Sequence, residues 1–263
     1  MAFAYYGGKY SHLNWLLPLL PECKHFVEPY GGSAAVLLNR APSGIETFND
    51  LEGDVVNFFQ VLRERTEDLV NLIQLTPHSR AEFKLALEPT EDTLERARRF
   101  YVLIRQSRNA RLKQLSSHSW SYTVNPHSGR SLSVQRWWSR LSELEQVAER
   151  LRNVQLEQED AHSVILRYDS PNTLFYADPP YLAGGGYKLE MGEEEHAKLA
   201  QLLNSIQGRV ALSAQEDSRL DEWYKGWRVE RSTTTSGRSA NHANGYSNKG
   251  KVAKVQELLL CNW

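Results

Sequence analysis

The chain is poor in cysteine: Cys23 and Cys261 are its two in 263 residues. That excludes a disulfide framework or a cysteine zinc cluster, and it fits a reducing, cytoplasmic location. No apolar run approaches the ~18 residues a membrane span needs. The start, Met-Ala-Phe-Ala-Tyr-Tyr-Gly-Gly-Lys, lacks a basic segment followed by an apolar one, so neither a membrane anchor nor a secretory signal is expected. Neither GxGxxG nor GxxxxGK[ST] occurs, so the standard dinucleotide and P-loop fingerprints are missing. His118, His127, His196 and His242 show no ligand spacing, and no metal is expected. His196 falls on an apolar-striped segment and reads as a structural histidine. Internal repeats and low-complexity tracts are lacking too.

An excess of one charge sign is also absent, since the net charge is -1. The signs are segregated, however. Ten Lys/Arg and no Asp/Glu lie between Arg96 and Arg140, and seven Lys/Arg against one acid between Lys225 and Lys254. Acid collects in Glu46–Asp68 and Glu143–Asp160. Such a distribution predicts one basic face for a polyanion on an otherwise acidic body.

Hydrophobic residues at 41% and charged residues at 24% are those of a folded domain with a sizeable core. Lys24–Pro29 reads as a short strand. Gly31-Gly32-Ser33 then opens a helix over Ala34–Asn39, with Ser33 as its N-cap. Ile45–Phe48 is a second strand, and Glu52–Arg65 a helix with Val55, Val56, Phe59 and Leu62 on one face. Strand signals return at Thr173–Ala177 and Arg209–Ser213, with a helix over Glu193–Ile206 between them. Trp227–Thr234 and Val255–Cys261 read as a closing antiparallel pair. The pattern predicts one α/β domain in two pieces, residues 1–65 and 157–263, interrupted by a basic helical insertion over 66–156. Trp137-Trp138 beside Leu141 and Leu144 reads as core of that insertion.

Three motifs carry chemistry. Gly31 and Gly32 sit between a strand and a helix, where backbone can approach a ligand, and Asp50 ends the next strand, where an acid meets ribose hydroxyls. A nucleoside ligand is indicated, against the plainer alternative of a tight turn beside a capping acid. Tyr5-Tyr6-Gly7-Gly8-Lys9 is a second glycine turn, whose Lys9 could meet a carboxylate. Most informative is Leu174-Phe175-Tyr176-Ala177-Asp178-Pro179-Pro180-Tyr181, an apolar strand running into Asp-Pro-Pro-Tyr. Two prolines remove two N–H donors, leaving a carboxylate, carbonyl oxygens and a ring. An exocyclic amine on a flat base is the natural partner. Its hydrogens would go to Asp178 and the Pro179 carbonyl, and its ring would stack on Tyr181. Such acceptors stabilise the positive charge that develops as the amine attacks.

With these motifs in this order the sequence resembles the Dam-type, alpha-class DNA adenine-N6 methyltransferases: Tyr-Tyr-Gly-Gly-Lys (5–9), Phe-Val-Glu-Pro-Tyr-Gly-Gly-Ser (26–33), Phe-Asn-Asp (48–50) and Asp-Pro-Pro-Tyr (178–181). The resemblance spans nearly the whole chain. It implies a Rossmann-like, S-adenosylmethionine-dependent methyltransferase sheet with a helical target-recognition insertion. The reaction implied is methyl transfer to N6 of an adenine flipped out of double-stranded DNA, by a monomer or by a dimer on DNA. Cytosine N4, a base in RNA, and a catalytically silent DNA-binding protein are the alternatives. Carried over, Tyr5, Lys9, Glu28, Pro29, Gly31, Gly32, Ser33, Asp50, Asp160 and Asp178 would contact the cofactor, and Asp178, Pro179, Pro180 and Tyr181 would be catalytic. Ala34 stands where many members keep glycine, and an alanine fits there at negative φ.

The DNA contacts are expected from the basic segments: Arg98, Arg105, Arg108, Asn109, Arg111, Lys113 and Arg130 in the insertion, Arg238 and Lys249 in a late polar loop. Gly184-Gly185-Gly186 could form a flap over the flipped base.

Overall fold

The computed structural model describes residues 3, 7–108, 115–125, 131–182, 190–232 and 257–263. Seven strands form one sheet: β1 His25–Glu28, β2 Ile45–Asn49, β3 Val154–Glu157, β4 Thr173–Ala177, β5 Arg209–Gln215, β6 Arg228–Arg231 and β7 Glu257–Cys261. Their order is β3-β2-β1-β4-β5-β7-β6. β7 runs antiparallel to both neighbours, while the ladders from β3 through β5 are parallel. Strands buried on both faces read as unbroken apolar runs, which is why TLFYA and VALSA carry no alternation. The chain moves outward from β1 to β3 and restarts at β4 beside β1. The carboxyl ends of β1 and β4 therefore flank a topological switch point, the place where open α/β sheets hold ligands.

Ten α-helices surround the sheet among the described residues: α1 Leu13–Leu16, α2 Gly53–Glu64, α3 Thr66–Gln74, α4 Arg80–Ala86, α5 Thr93–Gln106, α6 Leu132–Trp138, α7 Leu144–Leu151, α8 Ala161–Tyr168, α9 Glu193–Ser205 and α10 Arg219–Trp223. None is long and apolar enough to cross a membrane. One core joins Phe48 of β2 to Phe58 and Phe59 of α2, then to Phe100 and Tyr101 of α5 and to Trp137. The other packs α8, α9 and α10 through Val164, Leu199, Leu203 and Leu220 against Val27, Phe175 and Leu212. The helices of the insertion thus share a core with the sheet instead of building their own.

Three expectations need correction. β3 lies inside the stretch expected to be insertion, so residues 154–156 belong to the sheet. Trp137 is fully buried, but Trp138 is 45% exposed and is not core. No helix forms over Ala34–Asn39, and Ser33 caps nothing; residues 32–39 are a succession of turns. The cause is local. Gly32 and Ala34 have φ of 50° and 53°, which a right-handed helix cannot accept. The backbone is held there by Gly32 N–H donating to Asp50 at 2.7 Å and Leu37 N–H to Glu28 at 3.4 Å. Ala34 thus sits at positive φ, so the condition under which an alanine fits easily, a negative φ, is not met.

A left-handed alanine with its methyl fully buried makes opposite demands on its replacements. Ala34→Val should lower stability by about 2 kcal/mol or more, since a β-branched residue is an outlier at this φ. Ala34→Gly should change it by less than about 1 kcal/mol, because relief of ~1–2 kcal/mol of strain offsets the lost methyl and the added chain entropy. Urea midpoints check both. A harmless valine with a costly glycine would put φ on the negative side.

Candidate active site

A cleft of about 420 Å³ opens at the switch point. Lys9, Glu28, Pro29, Gly31, Gly32, Ser33, Asp50, Asp160, Asp178 and Pro180 all line it, so motifs up to 169 residues apart meet in one space. Tyr5 lies outside the described residues, as do Asn109, Arg111, Lys113, Arg130, Gly184–Gly186, Arg238 and Lys249.

The first wall is built by β1 and β2. Asp50 accepts from the N–H of Gly32 at 2.7 Å and from that of Glu52 at 2.8 Å. Burial pushes its carboxyl up to about 6, with those two N–H groups opposing. A carboxylate has about four acceptor sites, so Asp50 keeps capacity for ligand hydroxyls. Gly31 is required for packing: a Cβ there would lie 2.0 Å from the Phe48 ring. Asn49, the middle residue of Phe-Asn-Asp with no role expected of it, ties the site together. Its side chain donates to the carbonyls of Pro29 and Glu159 at 2.8 and 3.0 Å and accepts from Glu159 N–H at 2.9 Å. Asp160 caps α8 through Ser163 N–H at 3.1 Å and faces the cleft. Glu28 is fully buried, and its carboxyl lies well above the usual range; burial is the main cause, and the charge of Asp178 adds to it.

The second wall carries Asp178 at the end of β4. Lys9 Nζ lies 2.7 Å from both its oxygens and 3.5 Å from Glu257. The ammonium also donates to Gly7 O at 3.0 Å. Burial alone would lower the Lys9 pKa, but the two carboxylates outweigh it and raise it. Burial lifts Asp178 to about 6, with Glu257 adding and Lys9 opposing. His196 Nε2 is 2.9 Å from the Pro180 carbonyl. A carbonyl only accepts, so the ring donates through Nε2, and burial lowers its pKa in keeping with a neutral ring. The histidine is structural, as expected, and its partner is the Asp-Pro-Pro-Tyr turn.

Tyr181 departs from the expectation of an open stacking plate. Its side chain is buried, it does not line the main cleft, and Lys9 Nζ lies 4.9 Å from its ring centroid. Its hydroxyl reaches Asp178 Oδ1 at 3.2 Å and donates to Glu257. Nothing in the local sequence singles out Glu257, which opens an ordinary apolar strand.

The expected DNA contacts divide. Arg98 is buried, and its guanidinium bonds Glu95 and Glu82 at 2.7 Å and Thr76 at 3.2 Å. It is not available to DNA. Arg105 donates to the carbonyls of Arg136 and Ser139, tying α5 to the end of α6. Arg108 is exposed, 5.1 Å over the Tyr122 ring. Arg80, absent from the expected set, is exposed 4.5 Å over Trp120, which stacks with Tyr122 at 5.9 Å. Tyr122 itself is 50% exposed. Among the described residues neither Arg80 nor Arg108 pairs with a carboxylate.

A doubly wound sheet of this order, with a carboxylate-lined cleft at the switch point and Asp-Pro-Pro-Tyr at the end of β4, defines a Rossmann-like methyltransferase. The model of the D12 class N6 adenine-specific DNA methyltransferases matches residues 5–236, and the chain belongs to that family. It is 27% identical over 282 residues to the modification methylase StsI of Streptococcus sanguinis, covering 98% of this chain and 42% of that protein. It is 34% identical over 70 residues to the DNA N-6-adenine-methyltransferase of Escherichia phage P1, covering 27% of this chain and 9% of that protein. The chain thus spans less than half the length of these curated relatives.

The place of Arg98 gives a stability prediction. Arg98→Ala leaves Glu82 without its ion pair and Glu95 with Arg99 alone, and the two acids keep 28% and 24% of their side chains in water. The loss should be about 2 kcal/mol, below the ~3–5 kcal/mol for breaking a fully buried pair. Chemical denaturation measures it, and an unchanged midpoint would contradict the structural role.

Proposed function

We propose that the protein transfers a methyl group from S-adenosylmethionine to N6 of an adenine in double-stranded DNA. One observation carries this reading: a single cleft joins the Gly31–Ser33 and Asp50 wall to Asp178. The donor set fits that cofactor. Glu28, Asp50, Glu52, Asp160 and Asp178 line the cleft, which suits a cationic ligand with ribose hydroxyls and opposes a polyphosphate. The volume falls in the ~300–1,000 Å³ range of cofactor sites. Asp50 would take the ribose, and residues 159–162 at the start of α8 would lie along the base. When bound, the cofactor supplies an electrophilic methyl on a positively charged sulfur.

The chain's own residues do the rest. The adenine would leave the duplex to reach the cleft, as enzymes acting on a base require. Asp178 would accept one hydrogen of its amine. That draws electron density onto a nitrogen whose lone pair is otherwise delocalised, and it stabilises the charge that forms there. Lys9 holds both oxygens of Asp178 and so fixes the carboxylate's direction. Arg80 and Arg108, with Trp120 and Tyr122 between them, would face DNA: guanidiniums for phosphates, an aromatic ring for stacking. The names of the relatives fit a modification role.

Incubation with methyl-labelled S-adenosylmethionine and genomic DNA, followed by digestion to nucleosides, tests the reaction. Labelled N6-methyladenine is expected. Label on cytosine, or none, would refute the assignment. Asp178→Ala should abolish labelling and leave DNA affinity within about twofold. With the Asp178 carboxyl at about 6, its protonated form loses the acceptor. The kcat/KM should therefore fall as pH drops through about 6, and a flat profile to pH 5 would contradict the role.

Replacing Arg80 and Arg108 together by alanine should weaken DNA binding. It should also flatten the slope of log K against log salt by roughly 1–2 units, about 0.9 for each phosphate that is no longer neutralised. An unaltered slope would place the DNA-binding surface elsewhere.

A further inference from the structure

Glu257 brings into the site a carboxylate that no sequence motif marks. It opens β7, is 6% exposed, and collects three donors. These are the Tyr181 hydroxyl, the Ser213 hydroxyl at 3.1 Å and the Lys9 ammonium at 3.5 Å. Each leads back to Asp178 or its strand. Lys9 holds both Asp178 oxygens, the Tyr181 oxygen is 3.2 Å from Asp178 Oδ1, and Ser213 Oγ receives the Tyr176 hydroxyl of β4 at 3.2 Å.

A phenol has one proton to give. Tyr181 lies between two carboxylates and can donate to only one, and Glu257 is the nearer. Were that proton on Asp178, it would fall on Oδ1, which already lies 2.7 Å from the Lys9 ammonium, while Oδ2 accepts the Lys9 hydrogen bond. Less acceptor capacity would remain for an incoming amine. We propose that Glu257 is a positioning residue for methyl transfer: by taking the Tyr181 proton, it keeps an Asp178 lone pair open to the amine of the target base. This rests on the reading of Asp178 as the amine acceptor.

The charged and titratable groups around the pair are Lys9 and His12 from the N-terminal segment, Glu28 of β1, Tyr176 of β4, and Asp178 and Tyr181 beyond it. Glu257 acts on Asp178 in the same direction as burial, and Lys9 in the opposite one. Removing the charge of Glu257 should therefore let Asp178 titrate lower.

Glu257→Gln keeps the size and removes the charge. Its kcat should fall about tenfold or more, the scale of one charge-assisted hydrogen bond. KM for DNA and for the methyl donor should stay within about twofold, and the acid limb of the pH profile should move down. Adding Tyr181→Phe to Glu257→Gln removes the competing proton and should recover several-fold in kcat. Simple damage to the fold would not be rescued in this way. A Glu257→Gln enzyme with full kcat, or a double variant no faster than the single, would overturn the proposal. Glu257→Asp keeps the charge but draws the acceptor back by one methylene. It should fall between the wild-type and glutamine enzymes, and it serves if the glutamine variant does not fold; unchanged kcat and pH limb would count against the proposal. Carboxyl carbon NMR of Asp178 in the free protein gives a readout that needs no turnover. A downward midpoint in Glu257→Gln is expected, and an unmoved one would sever the link. A wild-type enzyme that methylates no adenine would instead refute the underlying reading.

Discussion

The structure depends on a buried lysine held by two carboxylates. Lys9 comes from the N-terminal segment, Asp178 from the end of β4 and Glu257 from the antiparallel β7. Sequence neighbours contribute almost nothing to the contact, yet it joins three elements that the cleft needs in register. Removing one partner leaves the other charge poorly solvated, at a cost below the ~3–5 kcal/mol of a fully buried pair, because Asp178 is 16% exposed and Lys9 faces two carboxylates. The arrangement therefore does two things at once. It fastens the N-terminal turn across the mouth of the sheet, and it sets the direction of the one carboxylate that ends β4 at the switch point. Tyr181 and Ser213 donate to the same Glu257 oxygen that faces Lys9, so the cluster is a hydrogen-bond network and not an isolated ion pair.

The cleft follows from topology. Parallel strands on either side of a switch point place their carboxyl ends together, and every cleft residue from β1, β2 and β4 lies at or near such an end. Backbone satisfaction then fixes the loops. Asn49 bonds the turns after β1 and β3, Asp50 holds Gly32, and His196 holds Pro180. Each is a polar side chain at a strand end or on a helix face, bonding backbone that no ladder can satisfy. The site's rigidity comes from these bonds, and its electrostatic sign from the carboxylates left over.

Much of this is legible in the chain. Strand ends followed by Gly-Gly, Asn-Asp or Asp-Pro-Pro-Tyr are local patterns, and local patterns survive translation into sequence. Glycine turns and prolines mark strand ends whatever packs around them. What is not legible is long-range. Glu257 acquires its role only through pairing of β7 with β5, 44 residues from Ser213. β3 is four residues with one buried position, too short for periodicity to register. Ala34 reads as helix because its neighbours are apolar, but its φ is set by hydrogen bonds that Asp50 and Glu28 accept from the loop around it. Tyr181 reads as a free ring because an aromatic after Pro-Pro shows no sign of the carboxylate beyond it.

The basic insertion shows most clearly where charge counting fails. Ten cations without an acid between Arg96 and Arg140 look like a binding face. Seven of them are described, and four are neutralised by acids lying outside that window: Arg96 by Asp54, Arg98 by Glu82 and Glu95, Arg99 by Glu95, Arg140 by Glu143. Arg105 is held by carbonyls. A helix places residues three and four apart on one side, so a single glutamate just before the window, Glu95, reaches two arginines inside it. An acid-free stretch of sequence is therefore not an acid-free surface. Arg108 and Arg136 remain, and Arg108 lies over the Tyr122 ring. Arg80, outside the stretch, joins Arg108 because its neighbours too are aromatic instead of acidic. An arginine over an aromatic face keeps its charge unneutralised while its position is fixed. That combination, and not the density of positive residues along the chain, is what a phosphate-facing surface requires.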